Sequence, residues 1–326
     1  MRVHAVTLLL WGEGERRSCC SPDAVQRARE SAQALGVSFQ TLDRREEFGR
    51  DVVEPFVAGY LAGETPNPCV VCNPGRLAAL VDLADALGYG RVATGHYARL
   101  VWRDGEPFVA RGHDLGKDQS YMLARVAPAT LARLDFPLGD LTKTEVRARA
   151  ALAGLKVAEE PESQEVCFAT NGYRAFLRQR GVQPIAGAVV DSHGQRLGTH
   201  DGQWWFTVGQ RRGLGLAAAA PLYVLARRAV ANEVVVGARD RLATIDIAVR
   251  DLIDRGLGAA RGLEVQLRYK AAPVAVRELQ RLGARRLRLR LATPFEAVAP
   301  GQAAVFYRQD VVVGSGFIAE SVGGLV

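Results

Sequence analysis

Along the first half of the chain, apolar positions alternate between near-continuous runs and a helical spacing. Val3 to Leu10 is a mostly apolar run and predicts a buried strand. Ser21-Pro22-Asp23 has the cap residue, proline and first-turn acid of a helix start. Val25, Ala28, Ala32 and Leu35 follow on one face, and Gly36 is placed to end the helix. Val37-Ser38-Phe39 begins a second strand. Leu77, Leu80, Val81 and Ala84 predict a helix from Arg76 to Leu87, with Gly88 after it. The strand Arg91 to Thr94 then runs into Gly95-His96-Tyr97, and Thr142-Lys143-Thr144-Glu145 has the form of a capping box opening a helix to about Leu152. Strands alternating with helices predict a parallel α/β sheet covered on both faces. Ligands bind such sheets at the carboxyl ends of the strands, where Gly95 lies.

Beyond Pro161 the texture changes. Asp191-Ser192-His193-Gly194 and His200-Asp201-Gly202 are turns between short segments, which predicts a small, mostly β connecting domain. From Glu233 the pattern is strands alone. Leu287-Arg288-Leu289-Arg290-Leu291 alternates with period two, and Ala303 to Tyr307 and Val311 to Ile318 read alike, so a small antiparallel barrel is expected. The predicted division is 1–161, 162–232 and 233–326.

Composition narrows the class. Of the 326 residues 48% are apolar, enough to bury real cores, yet no run approaches the ~20 residues of a membrane span. The opening segment is too short and too weakly basic for a signal peptide, so the protein reads as cytosolic, with no membrane partner. The net charge of +7 suits a polyanion such as nucleic acid. Only Lys117, Lys143, Lys156 and Lys270 among the 42 basic residues are lysine, a skew that matches the abundant alanine of a GC-rich genome. The five cysteines, Cys19, Cys20, Cys69, Cys72 and Cys167, are odd in number and unevenly spaced. They form a poor disulfide framework and read as reactive or metal-binding thiols.

Two segments carry chemistry. In Gly63-Glu64-Thr65-Pro66-Asn67-Pro68-Cys69-Val70-Val71-Cys72-Asn73, two prolines precede a Cys-x-x-Cys pair, which predicts thiols on a rigid loop just ahead of a helix. A helix N-terminus favours the nucleophilic thiolate. The pair also fits half a zinc site or a redox couple, but no second pair or histidine pair at finger spacing follows. In Glu162-Ser163-Gln164-Glu165-Val166-Cys167-Phe168, the lone cysteine reads on spacing alone as a small buried hydrophobe.

Together these segments resemble the tRNA-specific 2-thiouridylase family, and the match runs in order along nearly the whole chain. It includes Trp11 with Cys19-Cys20-Ser21, Gly63 to Asn73, and Ala93-Thr94-Gly95-His96-Tyr97-Ala98. It continues through Lys117-Asp118-Gln119-Ser120-Tyr121, Phe136-Pro137-Leu138-Gly139 and Ser163 to Phe168. Phe206 to Gly215, Arg268-Tyr269, Pro300-Gly301-Gln302 and Val305-Phe306-Tyr307 complete it. The resemblance implies an adenine-nucleotide-hydrolase-type α/β domain, a connecting domain and a C-terminal β-barrel. It also implies ATP with Mg2+ as cosubstrate, the tRNA anticodon arm as substrate, a sulfur-donor protein as partner and no role for DNA. In such enzymes ATP adenylates the wobble-uridine oxygen and a persulfide sulfur attacks the activated carbon. By position, Cys167 would hold the persulfide and Cys72 would resolve it as a disulfide. Asn67, Pro68 and Cys69 match the loop that contacts the target base, and Leu8 and Gly95 match nucleotide contacts. His96, Lys117, Asp118, Gln119, Arg268, Tyr269 and Gln302 match tRNA contacts. From the residues alone, His96 also reads as a satisfied histidine near a strand end, and Arg268 and Tyr269 as a barrel strand's outer face.

Two departures qualify the resemblance. Some members carry aspartate where this chain has Cys69, so that carboxylate role does not transfer. The substitution instead offers three thiols, Cys69, Cys72 and Cys167, as ligands for an iron–sulfur cluster, an alternative to the persulfide route. The family's phosphate-holding loop, Ser-Gly-Gly-x-Asp-Ser after a first strand, is also missing from the sequence. The expectation is a start assigned too late, since every downstream motif is intact. The alternative is a catalytically dead tRNA-binding remnant without ATP activation.

Overall fold

A computed structural model of the chain describes residues 2–12, 22–155 and 166–321. Strands β1 (His4–Leu9) and β2 (Ser38–Asp43) pair in parallel, with His4 opposite Ser38 and Leu9 opposite Asp43. Parallel neighbours need a crossover, which α1 (Pro22–Ala34) supplies. Gly36 ends that helix with φ +67, and the Val37 N–H closes the turn onto the Ala32 carbonyl at 3.0 Å. This left-handed conformation is one that glycine adopts without a Cβ penalty. The expected cap, Ser21, lies outside the described residues.

A helical run follows: α2 (Arg45–Phe48), a π-turn over Gly49–Val53, and α3 (Glu54–Leu61), burying Phe48, Val52, Val53, Phe56 and Tyr60. Helix α4 (Pro68–Ala86) leads to β3 (Val92–Ala93). Then come the hairpin β4 (Ala98–Arg103) and β5 (Glu106–Arg111), short helices α5 (Ser120–Leu123) and α6 (Pro128–Leu131), and β6 (Leu134–Asp135), which pairs in parallel with β3. Within residues 2–155 the parallel architecture is therefore present as two separate two-stranded pairs, β1–β2 and β3–β6. Helix α7 (Lys143–Leu152) carries the predicted capping box. The Thr142 hydroxyl accepts from the Glu145 N–H at 3.3 Å, and Glu145 Oε2 accepts from the Thr142 N–H at 2.7 Å.

After α8 (Tyr173–Gln179), strands β7 (Gly187–Val190), β8 (Arg196–His200), β9 (Tyr223–Arg228) and β10 (Glu233–Gly237) form a sheet in the order β8-β7-β10-β9. The remaining strands are β11 (Ala243–Asp254), β12 (Glu264–Gln266), β13 (Val274–Gly283), β14 (Arg286–Glu296), β15 (Ala303–Arg308) and β16 (Val311–Ser321). They run β11-β14-β13-β12-β15-β16, and β16 pairs back onto β11, closing a six-stranded antiparallel barrel. Closure pairs the first and last barrel strands with each other, and the hairpin β4–β5 joins the same sheet through β16.

Strands β15 and β16 explain why the chain packs as it does. Ala304, Phe306, Val311, Val313 and Ile318 fill the barrel. On the opposite face, Ala303, Val305, Tyr307 and Val312 pack with Val70, Leu77, Tyr121 and Leu134 of the α/β region. Both faces of the alternation are buried, so these strands are core to two regions at once. Tyr121 Oη donates to the Ala303 carbonyl at 2.9 Å, and Tyr307 Oη lies 3.1 Å from Ser120 Oγ, so the buried hydroxyls at this joint are satisfied. Among the described residues no helix is long and apolar enough to cross a membrane.

Candidate active site

Helix α4 starts at Pro68, earlier than the apolar spacing from Arg76 predicts. Asn67 is its N-cap, with Oδ1 accepting from the Cys69 N–H at 3.1 Å. Pro68 takes the first helical position, where a missing N–H costs nothing. The helix runs on through Pro74. Cys69 and Cys72 are thus in the opening turns of a helix, not on a loop ahead of it. Three residues apart, they are neighbours on the helix surface, yet their surroundings differ. Cys69 is exposed, whereas Cys72 is half-buried against an aromatic cluster.

Cys167 packs against that same cluster. Phe168 sits at its centre, 5.1 Å edge-on from Phe56, 5.0 Å from Phe176 and 5.6 Å from Phe48. Cys72 and Cys167, far apart in sequence, therefore share one apolar environment, both as half-buried thiols. Among the described residues no group of three or more His, Cys, Asp or Glu side chains is arranged to hold a metal ion.

The carboxyl end of β3, the start of α4, the loop around Lys117, the start of α7 and the turn after β12 surround an open cavity of about 800 Å³. Its described lining holds four cations, Arg76, Lys117, Lys143 and Lys270, and no aspartate or glutamate. A concave surface of one sign concentrates counter-charged ligands. Asp114 sits behind this lining and ties its segments together. Its Oδ1 accepts from the Gly116 N–H at 3.1 Å, its Oδ2 from the Lys143 N–H at 3.0 Å, and its carbonyl from the Lys117 N–H at 2.9 Å. The Lys143 bond also satisfies a donor that α7 would otherwise leave orphaned.

His96 is 6% exposed. Its Nε2 faces Arg76 Nη2 at 3.3 Å, and its Nδ1 lies 2.8 Å from Thr94 Oγ1. A guanidinium can only donate, so Nε2 accepts and the ring proton sits on Nδ1, directed at Thr94. Burial, with the Arg76 charge adding to it, pulls the His96 pKa down to about 3. The ring is therefore neutral at physiological pH.

The loop leading into Asn67 is clamped from two other regions. From β9, the buried Arg227 donates to the Glu64 carbonyl and to Thr65 Oγ1, the latter at 3.1 Å. From the barrel, Gln302 Nε2 donates to the Thr65 carbonyl at 2.6 Å, and the Thr65 N–H donates to the Pro300 carbonyl at 2.7 Å. Arg250 grips both Glu64 carboxylate oxygens, at 2.7 and 2.8 Å. Gly301 has φ +84, and a Cβ there would lie 2.7 Å from Glu64 Cβ. The Pro300-Gly301-Gln302 motif is thus explained by close docking onto the loop that leads into Asn67, Pro68 and Cys69. Arg227 also lies 5.6 Å over the Tyr60 ring, which stacks on Tyr173 at 4.5 Å.

Comparison with known proteins adds the lineage. Residues 1–171 match the tRNA methyl transferase HUP domain family, 174–238 the tRNA methyl transferase PRC-barrel domain and 252–318 the aminomethyltransferase beta-barrel domain. A tRNA-specific 2-thiouridylase MnmA of Moorella thermoacetica is 44% identical over 336 residues, covering 98% of this chain and 93% of the relative. That of Sorangium cellulosum is 42% identical over 97% of this chain and 85% of its own length. The chain belongs to the tRNA-specific 2-thiouridylase family. A Bifunctional protein NifU/MnmA of Rubrobacter xylanophilus is 49% identical over 97% of this chain, which covers 64% of that longer protein.

Of the residues matched to family roles, Asn67, Pro68, Cys69, Gly95, His96, Lys117, Gln119, Tyr269 and Gln302 line the cavity. Gly95 lies two residues past the end of β3, where an added Cβ would meet only Leu138 Cδ1, at 3.6 Å, so the space beyond the strand's carboxyl end has room for a ligand. The others lie elsewhere. Leu8 packs on the aromatic cluster beside the thiols. Asp118 is buried, and its carboxylate accepts from the Gly112 N–H, the Ser120 N–H and Ser120 Oγ at 2.9, 3.1 and 2.7 Å, which commits it to the fold. Arg268 is exposed, 5.7 Å over Phe295. Cys19, Cys20 and Ser163 to Glu165 lie outside the described residues. Arg76, Lys143, Lys270, Arg227 and the Tyr60–Tyr173 stack were not singled out from sequence. Lys143 was legible there only as part of a capping box, and Arg227 only as one arginine among many.

Proposed function

We propose that this chain is a tRNA-uridine 2-sulfurtransferase that uses ATP to thiolate the wobble uridine through a persulfide on Cys167. The uridine O2 displaces pyrophosphate from ATP and becomes part of a phosphate leaving group. The terminal sulfur of the Cys167 persulfide attacks C2, and AMP departs. The Cys72 thiolate attacks the Cys167 sulfur, so the bond to the transferred sulfur breaks as a Cys72–Cys167 disulfide forms. A donor protein supplies the persulfide sulfur, and an external thiol reduces the disulfide.

The observation that carries this reading is the placement of Cys72 and Cys167 on one aromatic cluster, with Asn67, Pro68 and Cys69 turned toward the basic cavity. Apolar surroundings suit a persulfide, because water that would intercept the sulfur is excluded. The neutral His96, accepting from Arg76, keeps that guanidinium aimed at the cavity. Gly95 and Leu8 would contact the adenine nucleotide, whose triphosphate supplies the leaving group.

The test is thiolation of an unmodified tRNA with ATP and a persulfide donor, read as 2-thiouridine after digestion. Product that disappears in Cys167→Ser and Cys72→Ser, with tRNA still bound, is the expected result. Full product from both variants would overturn the persulfide route.

A further inference from the structure

Thirty-eight of the chain's 42 basic residues are arginine. Where any cation serves, this chain uses a guanidinium. Yet three of the four basic residues in the described lining of the cavity are lysine, and they are all of the lysines that the structure describes. Such a concentration at one concave site marks a place where the planar, bulky guanidinium does not serve. An ammonium is a compact point charge with three rotatable donors, able to meet an anion end-on in a confined space.

The lysines stand on both walls. Lys117 and Lys143 are held side by side on the α/β wall by Asp114. Lys270 faces them from the barrel, on the turn closed by the Ala271 N–H to the Arg268 carbonyl at 3.1 Å. Its backbone has φ +63, the left-handed turn conformation that five other non-glycine residues also adopt among those described. Two of the three ammoniums have an aromatic neighbour to brace them, Lys143 at 5.7 Å from the Tyr97 ring centre and Lys270 at 5.7 Å from that of Tyr269.

We propose that Lys143 and Lys270 grip phosphodiester groups of the RNA strand on either side of the base presented to Cys69, in a role that requires lysine. The inference rests on the tRNA reading above and adds two positioning residues that clamp the strand from opposite walls. Phosphate contacts of this kind fix register and orientation without reading sequence.

The experiment is the affinity of the full chain for an unmodified anticodon stem-loop across a salt series, with ATP binding measured separately. Lys143→Gln and Lys270→Gln are each expected to lower the slope of log K against log salt by about 0.7 to 0.9, one phosphate's worth of released counterions. Arg50→Gln, at an exposed ion pair away from the cavity, leaves the slope unchanged. Lys143→Arg and Lys270→Arg keep the slope, because the charge is retained, but bind about three- to tenfold more weakly. Unchanged slopes in the Gln variants overturn the phosphate grip, and Arg variants equal to the parent overturn the requirement for lysine. Loss of ATP binding with an unchanged RNA slope assigns the lysines to the nucleotide's phosphates and overturns the proposal. A parent chain that binds no stem-loop overturns the tRNA reading itself, and this inference with it.

Discussion

The opening turns of helix α4 border two adjoining environments on a single face of the helix. In one, Cys72 joins Cys167 among Phe48, Phe56, Phe168 and Phe176, where rings meet edge to face. In the other, Cys69 and Arg76 face a cavity lined by lysines. The Tyr60–Tyr173 stack stands where the two meet, and burial raises the Tyr60 pKa above that of an ordinary phenol. The difference separates chemistry from grip. In the proposed function, sulfur transfer would use the dry surface and the RNA strand the charge, and a single helix with thiols three residues apart borders both.

The sharpest way to break this comparison is to exchange the thiols. Cys167→Ser is expected to cut thiolation by about 10³-fold or more, since the persulfide cannot form on serine, and Cys72→Ser to follow it. Cys69→Ser should stay within about tenfold of the parent, because its surroundings serve placement of the base. Parallel tRNA-binding measurements should show all three variants binding alike. If Cys69→Ser were as damaging as Cys167→Ser, the two environments would not be chemically distinct and a site of three thiolates would return to consideration.

A second change tests whether both environments depend on the clamp above them. Gly301→Val puts a branched Cβ where Glu64 Cβ lies 2.7 Å away, at a φ of +84. The Glu64–Thr65 loop should move by about 1 Å, and misplacement of that size lowers turnover about 10²-fold. Backbone strain at this φ should lower the unfolding midpoint modestly, while the barrel core on the far face of β15 stays packed because Ala304 and Phe306 face away from the loop. Comparing kcat with thermal unfolding separates the two outcomes. Equal losses in both would mean that the loop is structural and not a positioning device.

How much of this was legible in the sequence differed sharply by region. The capping box at Thr142, the helix stop at Gly36 and the barrel strands follow from local patterns, and each formed where the pattern lay. The start of α4 did not follow, because Pro74-Gly75 resembles a boundary and hides a helix already begun at the Asn67 cap. What covers the second face of β15 was equally hidden. Ala303-Ala304-Val305-Phe306-Tyr307 is an unbroken apolar run, which fits a strand dry on both faces, but the run does not name Val70, Leu77 and Tyr121 as what covers the second face. The chemistry of single residues was legible through family resemblance, while their partners were not. Gln302 was matched as an RNA contact, yet it donates to the Thr65 carbonyl, and Arg227 carried no signal at all. Contacts between segments far apart in sequence leave no periodicity to read.

The smallest expected effect sharpens the basic side of the comparison. His96 is a cation precursor held neutral among cations, its pKa pulled from 6.5 to about 3 by burial and then by Arg76. Its folded pKa lies below its unfolded value, so above about pH 6.5 the two states carry the same proton count and the residue is neutral in both. As pH falls below that, the unfolded chain takes up a proton that the folded chain refuses, and stability declines until the pH nears 3. At pH 5 the loss from this group alone is about 2 kcal/mol, one and a half pH units at about 1.4 kcal/mol each. Chemical denaturation of the parent and of His96→Gln at pH 7 and pH 5 measures it. The parent should lose that increment more than the variant, and Arg76→Leu should shrink it without removing it, since burial is the larger cause. Equal pH dependence in parent and His96→Gln would place the ring in contact with water. The polar contact with Arg76 would then be a surface feature and no support for the cavity wall.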